Sequence, residues 1–326
     1  MDRTGISLKI LQISHLYSPP AMNTFRIKGL VAATHTPFLD DGSLNLDAIE
    51  SQAAHLLANG VHHAFISGTT GESSSLTLDE RRSITQRWME VTRNSDLGVI
   101  VHVGSNCLSD SRTLAEQAQS LGAIAISALA PSYLKPGNVS SLVSSMAQIA
   151  SGAPDLPFYY YEIPSLSGLN LSPSDFLTHA AEVIPNLVGI KFTSNNLMEY
   201  QLCRDAFSAR FDIPFGFDEI MLAALALGAT GAVGSSFNFA APIYHRIIAA
   251  FADGDIPRAR SEQMRSVRLI QTLASRGYMG AAKALMEMLG VQVGPPRLPC
   301  GALDATQKRS LREDLESLGF FEWIKH

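Results

Sequence analysis

The 326-residue chain has few cysteines, few lysines and no long apolar run. Its three cysteines, Cys107, Cys203 and Cys300, are far apart, odd in number and form no C-x-x-C pair. That excludes a disulfide framework and points to reduced thiols in a cytoplasmic protein. The nine histidines are scattered and none belongs to a His-Glu-x-x-His motif, so no metal is expected. No stretch reaches the roughly 18 apolar residues of a membrane helix. No clean small-residue cleavage site follows the mildly apolar N-terminus, which argues against a secretory signal. The formal charge of −5 gives no basic footprint for nucleic acid or an acidic membrane. No G-x-G-x-x-G follows the first predicted strand, which argues against a dinucleotide-binding doubly wound sheet.

What is present is a rhythm. Residues 1–27 read as an N-terminal extension, the first 21 of them loosely held or an artefact of the assigned start. From residue 28 apolar strands alternate with amphipathic helices. Strands are predicted at 29–34, 63–67, 99–103, 123–129, 158–161, 187–192, 213–217 and 231–234. Helices are predicted at 46–59, 79–93, 109–121, 139–149, 173–183, 197–207, 219–227 and 241–251. Eight strand–helix units in about 225 residues predict an α/β fold, a (β/α)8 TIM barrel over 28–253. Beyond it, helices at 256–276, 279–289 and 303–318 and a proline-rich linker at 294–299 form a C-terminal helical region, 254–326. It is expected to pack on the outside of the barrel or against a neighbouring subunit.

In such barrels the chemistry sits at the C-terminal ends of the strands. Of the seven lysines only Lys191 ends an apolar strand, between Ile190 and Phe192. Desolvation neutralises an ammonium, and a neutral amine forms a Schiff base with a carbonyl; the alternative is a lysine snorkelling to solvent. After strand two, Gly68, Thr69, Thr70, Gly71 and Glu72 form either an anion-binding turn or a plain Gly-Thr turn. At strand five, alternation turns Tyr159 and Tyr161 one way and Tyr160 the other, so Tyr161 is a candidate acid/base. Asp218 and Glu219 after strand seven suit sugar hydroxyls, or only favour a helix start. Ser235 and Ser236 follow strand eight. A hydrophobic core has no reason to gather these residues on one rim.

The stretches 68–72, 161–164, 189–193 and 294–299 resemble the family of pyruvate-dependent class I aldolases that includes dihydrodipicolinate synthase and N-acetylneuraminate lyase. The resemblance runs from about residue 28 to residue 299 and is strongest, at 158–168, 216–219 and 229–238, to the sialic-acid branch. It implies reversible cleavage of N-acetylneuraminate to N-acetylmannosamine and pyruvate, with no cofactor, by a homotetramer. It assigns the Schiff base to Lys191 and the proton transfer at the C4 hydroxyl to Tyr161. Thr69 and Thr70 would bind the substrate carboxylate, Thr70 also bonding Tyr161. Tyr133 stands where the family has a tyrosine that reaches a neighbouring subunit's site. Thr193, Gly216, Asp218, Glu219 and Ser235 would hold the polyhydroxy tail. Two positions set this chain apart. Leu166 replaces the arginine that holds a second carboxylate in the lysine-biosynthesis branch. Glu162 stands where relatives carry Asn or His and is expected to point away from the chemistry. Another 2-oxo sugar acid as substrate, or a catalytically silent barrel used as a binding module, are the competing readings.

Overall fold

The computed structural model describes residues 25–325; the reading of residues 1–24 lies outside the described residues. Seven strands form one parallel sheet: β1 (Gly29–Ala33), β2 (His63–Ile66), β3 (Gly98–His102), β4 (Ala125–Leu129), β5 (Phe158–Glu162), β6 (Leu187–Phe192) and β7 (Gly231–Gly234). The sheet runs β6-β5-β4-β3-β2-β1-β7. Segment 212–215 closes it into a barrel, bridging Gly189 and Phe192 on one side and Ala232 on the other. The strand predicted at 213–217 is thus reduced to isolated bridges at Asp212 and Phe215. Pro214 is the reason: it has no N–H to give to the ladder, although its carbonyl still accepts from Phe192 N at 2.9 Å. Eight staves with interleaved helices make a TIM barrel with additional C-terminal helices.

The helices are α1 (Ala48–Ala58), α2 (Leu78–Thr92), α3 (Leu108–Leu121), α4 (Val139–Ala150), α5 (Pro164–Ser167), α6 (Pro173–Ala180), α7 (Leu197–Phe207), α8 (Met221–Ala226) and α9 (Phe237–Ala252). The C-terminal set is α10 (Ile256–Ala274), α11 (Tyr278–Met288), α12 (Ala305–Leu318) and α13 (Phe320–Trp323). Local signals start several of them. Thr77 and Glu80 form a reciprocal capping box on α2, as Asp304 and Gln307 do on α12. The helix predicted to begin at Ala241 begins at Phe237, with a kink at Ala240 just before Pro242. The short α5, between β5 and α6, has no counterpart in the sequence reading.

Two apolar layers follow from strand alternation. Leu30, Ala64, Val99, Ile126, Tyr160 and Ile190 pack outward against the helices. Val31, Phe65, Ile100, Ala125, Tyr159 and Tyr161 fill the barrel's interior. Strand β6 breaks the alternation. Phe158 pairs with Leu187 but Tyr159 pairs with Gly189, so Val188 is an extra residue in a bulge. Val188 therefore faces inward while Ile190 and Phe192 face outward, which turns Lys191 to the interior.

Candidate active site

The C-terminal ends of the staves surround a cavity of about 410 Å³. Lys191 lies at its buried end, 4% exposed, with Nζ 3.5 Å from the centroid of the Tyr161 ring and 4.9 Å from that of Phe65. Burial pushes the amine below its ordinary range; Tyr161, Asp218 and Glu162 oppose that shift. Lys191 makes no ion pair among the described residues. The chain has a second buried lysine, Lys283, 1% exposed, but its Nζ sits 2.6 Å from Glu72 Oε1. Burial lowers that amine too, but the adjoining Glu72 carboxylate opposes the shift directly, whereas no carboxylate among the described residues pairs with Lys191.

The turn after β2 brings Thr69 and Thr70 to the cavity wall. Ser67 and Glu72 both adopt positive φ, at 54° and 55°, in a tight turn that brings Gly71 against Ser67. A Cβ on Gly71 would lie 3.0 Å from Ser67 N and Cα, so any side chain there would press on the backbone of the turn. Thr69, not Thr70, shares a hydrogen bond with the Tyr161 hydroxyl, at 3.2 Å. The expected Thr70–Tyr161 bond is corrected accordingly: in so tight a turn adjacent side chains leave in different directions, and Thr69 is the one that meets the phenol. His102, on the inner face of β3, packs edge-on to Tyr161 at 5.6 Å between ring centroids and is held neutral by burial. It was not singled out from sequence, because a strand-end histidine carries no motif.

The remaining staves supply the open half. Thr193 lines the cavity and its buried hydroxyl has no protein partner. Gly216 stands against it, since a Cβ there would lie 2.1 Å from Thr193 Oγ1. Asp218 and Glu219 lie in a 3-10 turn before α8 and neither caps that turn with its side chain. Asp218 is buried, and its Oδ2 accepts from Ser236 N at 2.8 Å and Ser236 Oγ at 2.6 Å, at the start of α9. Burial pushes both carboxyls up. Ser235 Oγ is 2.7 Å from the Tyr278 hydroxyl of α11. Leu166, on α5, lies at the cavity rim and is 64% exposed.

Three placements differ from the sequence reading or extend it. Tyr133 does not reach this cavity; with Leu134 it lies on an exposed loop, 86% and 82% exposed. The C-terminal helices do not stay outside the barrel's mouth. Ile270 and Ala274 of α10 and Tyr278 and Met279 beside them line the cavity. Glu162 turns to the opposite side of its strand, into an adjoining cavity of about 510 Å³. There its Oε2 accepts from Thr193 N at 3.1 Å, and burial lifts its carboxyl to about 7.

A buried, unpaired lysine beside a phenol, at the closed end of a largely apolar cavity with a few polar groups on the C-terminal rim, is an arrangement suited to imine chemistry. Residues 26–318 match the Dihydrodipicolinate synthetase family. The chain belongs to that family. Among its similar relatives, N-acetylneuraminate lyase A of Xenopus laevis is 40% identical over 277 residues, which cover 84% of this chain and 90% of that relative. N-acetylneuraminate lyase of Rattus norvegicus is 37% identical over 302 residues, 91% of this chain and 94% of that one. The solved N-acetylneuraminate lyase of Aliivibrio salmonicida superposes with a TM-score of 0.88 at 40% identity, covering 91% of this chain and 98% of that one. As in any member of a family built on one barrel, the substrate is decided by the rim and not by the fold.

Proposed function

We propose that this chain is a Schiff-base aldolase that reversibly cleaves N-acetylneuraminate to N-acetylmannosamine and pyruvate. The observation that carries the proposal is Lys191: a desolvated amine beside Tyr161, in a chain 40% identical to a relative named for that reaction.

In this reading the open-chain sugar acid enters with its carboxylate toward Thr69 and Thr70. The amine of Lys191 attacks the C2 ketone; the Tyr161 hydroxyl gives its proton to the departing oxygen, which leaves as water, and a protonated imine remains. The phenolate so formed, oriented by its bond to Thr69, takes the proton of the C4 hydroxyl. The C4 oxygen becomes the aldehyde of N-acetylmannosamine as the C3–C4 bond breaks. The electron pair of that bond passes to the imine and gives an enamine. Protonation at C3 and hydrolysis of the imine release pyruvate and restore the amine. Thr193, with its unpartnered hydroxyl, and the carboxylates of Asp218 and Glu219 bind the tail. Among the described residues lining the cavity none is arginine. A partner aldehyde bearing a second carboxylate, such as aspartate semialdehyde, therefore finds no bidentate cation and is expected to condense poorly.

The same reading makes the protein a cytoplasmic homotetramer, in which the exposed Tyr133 loop meets a neighbouring subunit. No helix among the described residues is long and apolar enough to cross a membrane.

The test is reduction with borohydride in the presence of pyruvate. One stable adduct per chain is expected, on the peptide that contains Lys191. An adduct on Lys283, or undiminished labelling of Lys191→Ala, would overturn the assignment. A panel of 2-oxo sugar acids assayed for pyruvate release then ranks the substrates.

A further inference from the structure

The second buried lysine has no part in that chemistry, yet its surroundings lead back to the site. Lys283, in the middle of α11, has three N–H donors and three acceptors around them. Glu72 Oε1 lies at 2.6 Å, the Thr36 carbonyl at 2.9 Å and the Pro295 carbonyl at 3.1 Å. The ring of Phe38 covers the ammonium at 4.4 Å. The other oxygen of Glu72 accepts from Arg297 N at 2.8 Å. Arg297 in turn donates to the Ser75 carbonyl and holds Glu80 through two of its nitrogens.

All of this converges on the turn that carries Thr69 and Thr70. Glu72 ends that turn, its own N–H bonded to the Thr69 carbonyl at 3.0 Å. Thr36 holds the turn from the other side, its hydroxyl donating to the Gly71 carbonyl at 2.6 Å. Lys283 is bonded to both Glu72 and the Thr36 carbonyl. A single ammonium thus fixes the two supports of one turn. Ser67 and Glu72 sit there at positive φ, a conformation that non-glycine residues hold only when the surroundings enforce it.

We infer that Lys283 is a positioning residue for the substrate carboxylate: from α11 it holds, through Glu72 and Thr36, the turn that presents Thr69 and Thr70. The inference rests on the reading of that turn as the carboxylate subsite. It gives the helices after the barrel a part in binding, beyond covering apolar surface. It also separates the two buried lysines by task. One makes no ion pair among the described residues and reacts; the other is paired with Glu72 and holds.

The experiment compares two ketones that condense with an amine and differ in the carboxylate, pyruvate and acetone. Borohydride trapping is followed against ketone concentration in the full chain and in Lys283→Met, whose unbranched side chain is shorter by one atom and carries no charge. The half-saturating pyruvate concentration is expected to rise between about tenfold and a hundredfold, the scale on which small misplacements act, while that of acetone is unchanged. Should Lys283→Met not fold, Glu72→Gln, of the same size, carries the same comparison with the same expected sign. An unchanged pyruvate curve overturns the inference, and so does an equal loss for both ketones, which marks a general loosening of the protein. Failure of the parent chain to trap pyruvate would instead sink the aldolase reading itself. The two failures are therefore distinguishable.

Discussion

Replacing Glu162 by glutamine probes the charge that lies directly behind the reacting lysine. Burial lifts this carboxyl from its ordinary 4.5 to about 7. Charged and polar groups reach it from three elements. Thr193 N and Lys191, both from β6 and the residues just after it, pull the value down, and Glu199 of α7 pushes it up. Tyr160 and Cys203 feel its charge from β5 and α7. The folded chain thus holds a proton that the unfolded chain has lost between pH 4.5 and 7. The stabilisation is fully present below 4.5 and is lost as pH rises through 7. From 4.5 to 7, at about 1.4 kcal/mol per pH unit, the full loss is about 3–4 kcal/mol. Glutamine keeps an acceptor for Thr193 N and never ionises, so it escapes the loss. Thermal unfolding of both proteins between pH 4.5 and 8.5 measures this. The melting temperature of Glu162→Gln relative to the parent is expected to climb across the interval, by several degrees, at about 2–4 °C per kcal/mol for a chain of this class. A difference that is flat with pH would refute the reasoning. A parent that gains on the variant as pH rises would show that the fold favours the charged form.

Other outcomes follow from the same geometry. Tyr161→Phe is expected to keep pyruvate trapping at Lys191 and to lose turnover by about 10²–10⁴-fold; a loss under about tenfold would mean that another group moves the proton. Glu219→Ala leaves substrate hydroxyls poorly paired, at about 1–3 kcal/mol, so KM for N-acetylneuraminate should rise. Because Glu219 caps no helix, its melting temperature should stay put; a lowered melting temperature with an unchanged KM would remove this acid from the site. Thr69→Val should cost more turnover than Thr70→Val, because only Thr69 bonds the Tyr161 hydroxyl; equal losses measured side by side would contradict that.

The sequence carries much of this because the signals are local. The run Leu187–Phe192 is strand for its whole predicted length, and α7 occupies the predicted 197–207. Turn and cap chemistry is written within four or five residues. Segment 212–215 looked like its neighbours on apolar content, and only the effect of Pro214 on the ladder distinguishes it. The clustering of Lys191, Tyr161, Thr69, Thr70 and Thr193 was legible from strand ends, since a parallel barrel brings all such ends to one rim. Which of two adjacent threonines meets the phenol was not, because that depends on φ at Ser67 and Glu72. Tyr278 and Ile270 were illegible for another reason. They reach the cavity only because α10 and α11 fold back across the mouth, and no pattern inside a helix tells where its neighbours will lie. Lys283 was visible as a lysine in an amphipathic helix; its partner, Glu72, lies 211 positions earlier in the chain.

The bulge at Val188 gives β6 one residue to spare. Between Leu187 and Gly189 the strand counts one residue more than its neighbour β5. Beyond it the ladder is in step again, with Gly189 opposite Tyr159 and Lys191 opposite Tyr161. Deleting Val188 would therefore leave plain alternation, Leu187 outward, Gly189 inward, Ile190 outward and Lys191 still inward. The orientation of the amine is set by its pairing with Tyr161 and not by the count of residues before it. What the extra residue adds is one more apolar side chain in the interior. A single deletion at the bulge would thus trim packing at the base of the barrel and spare the imine-forming amine.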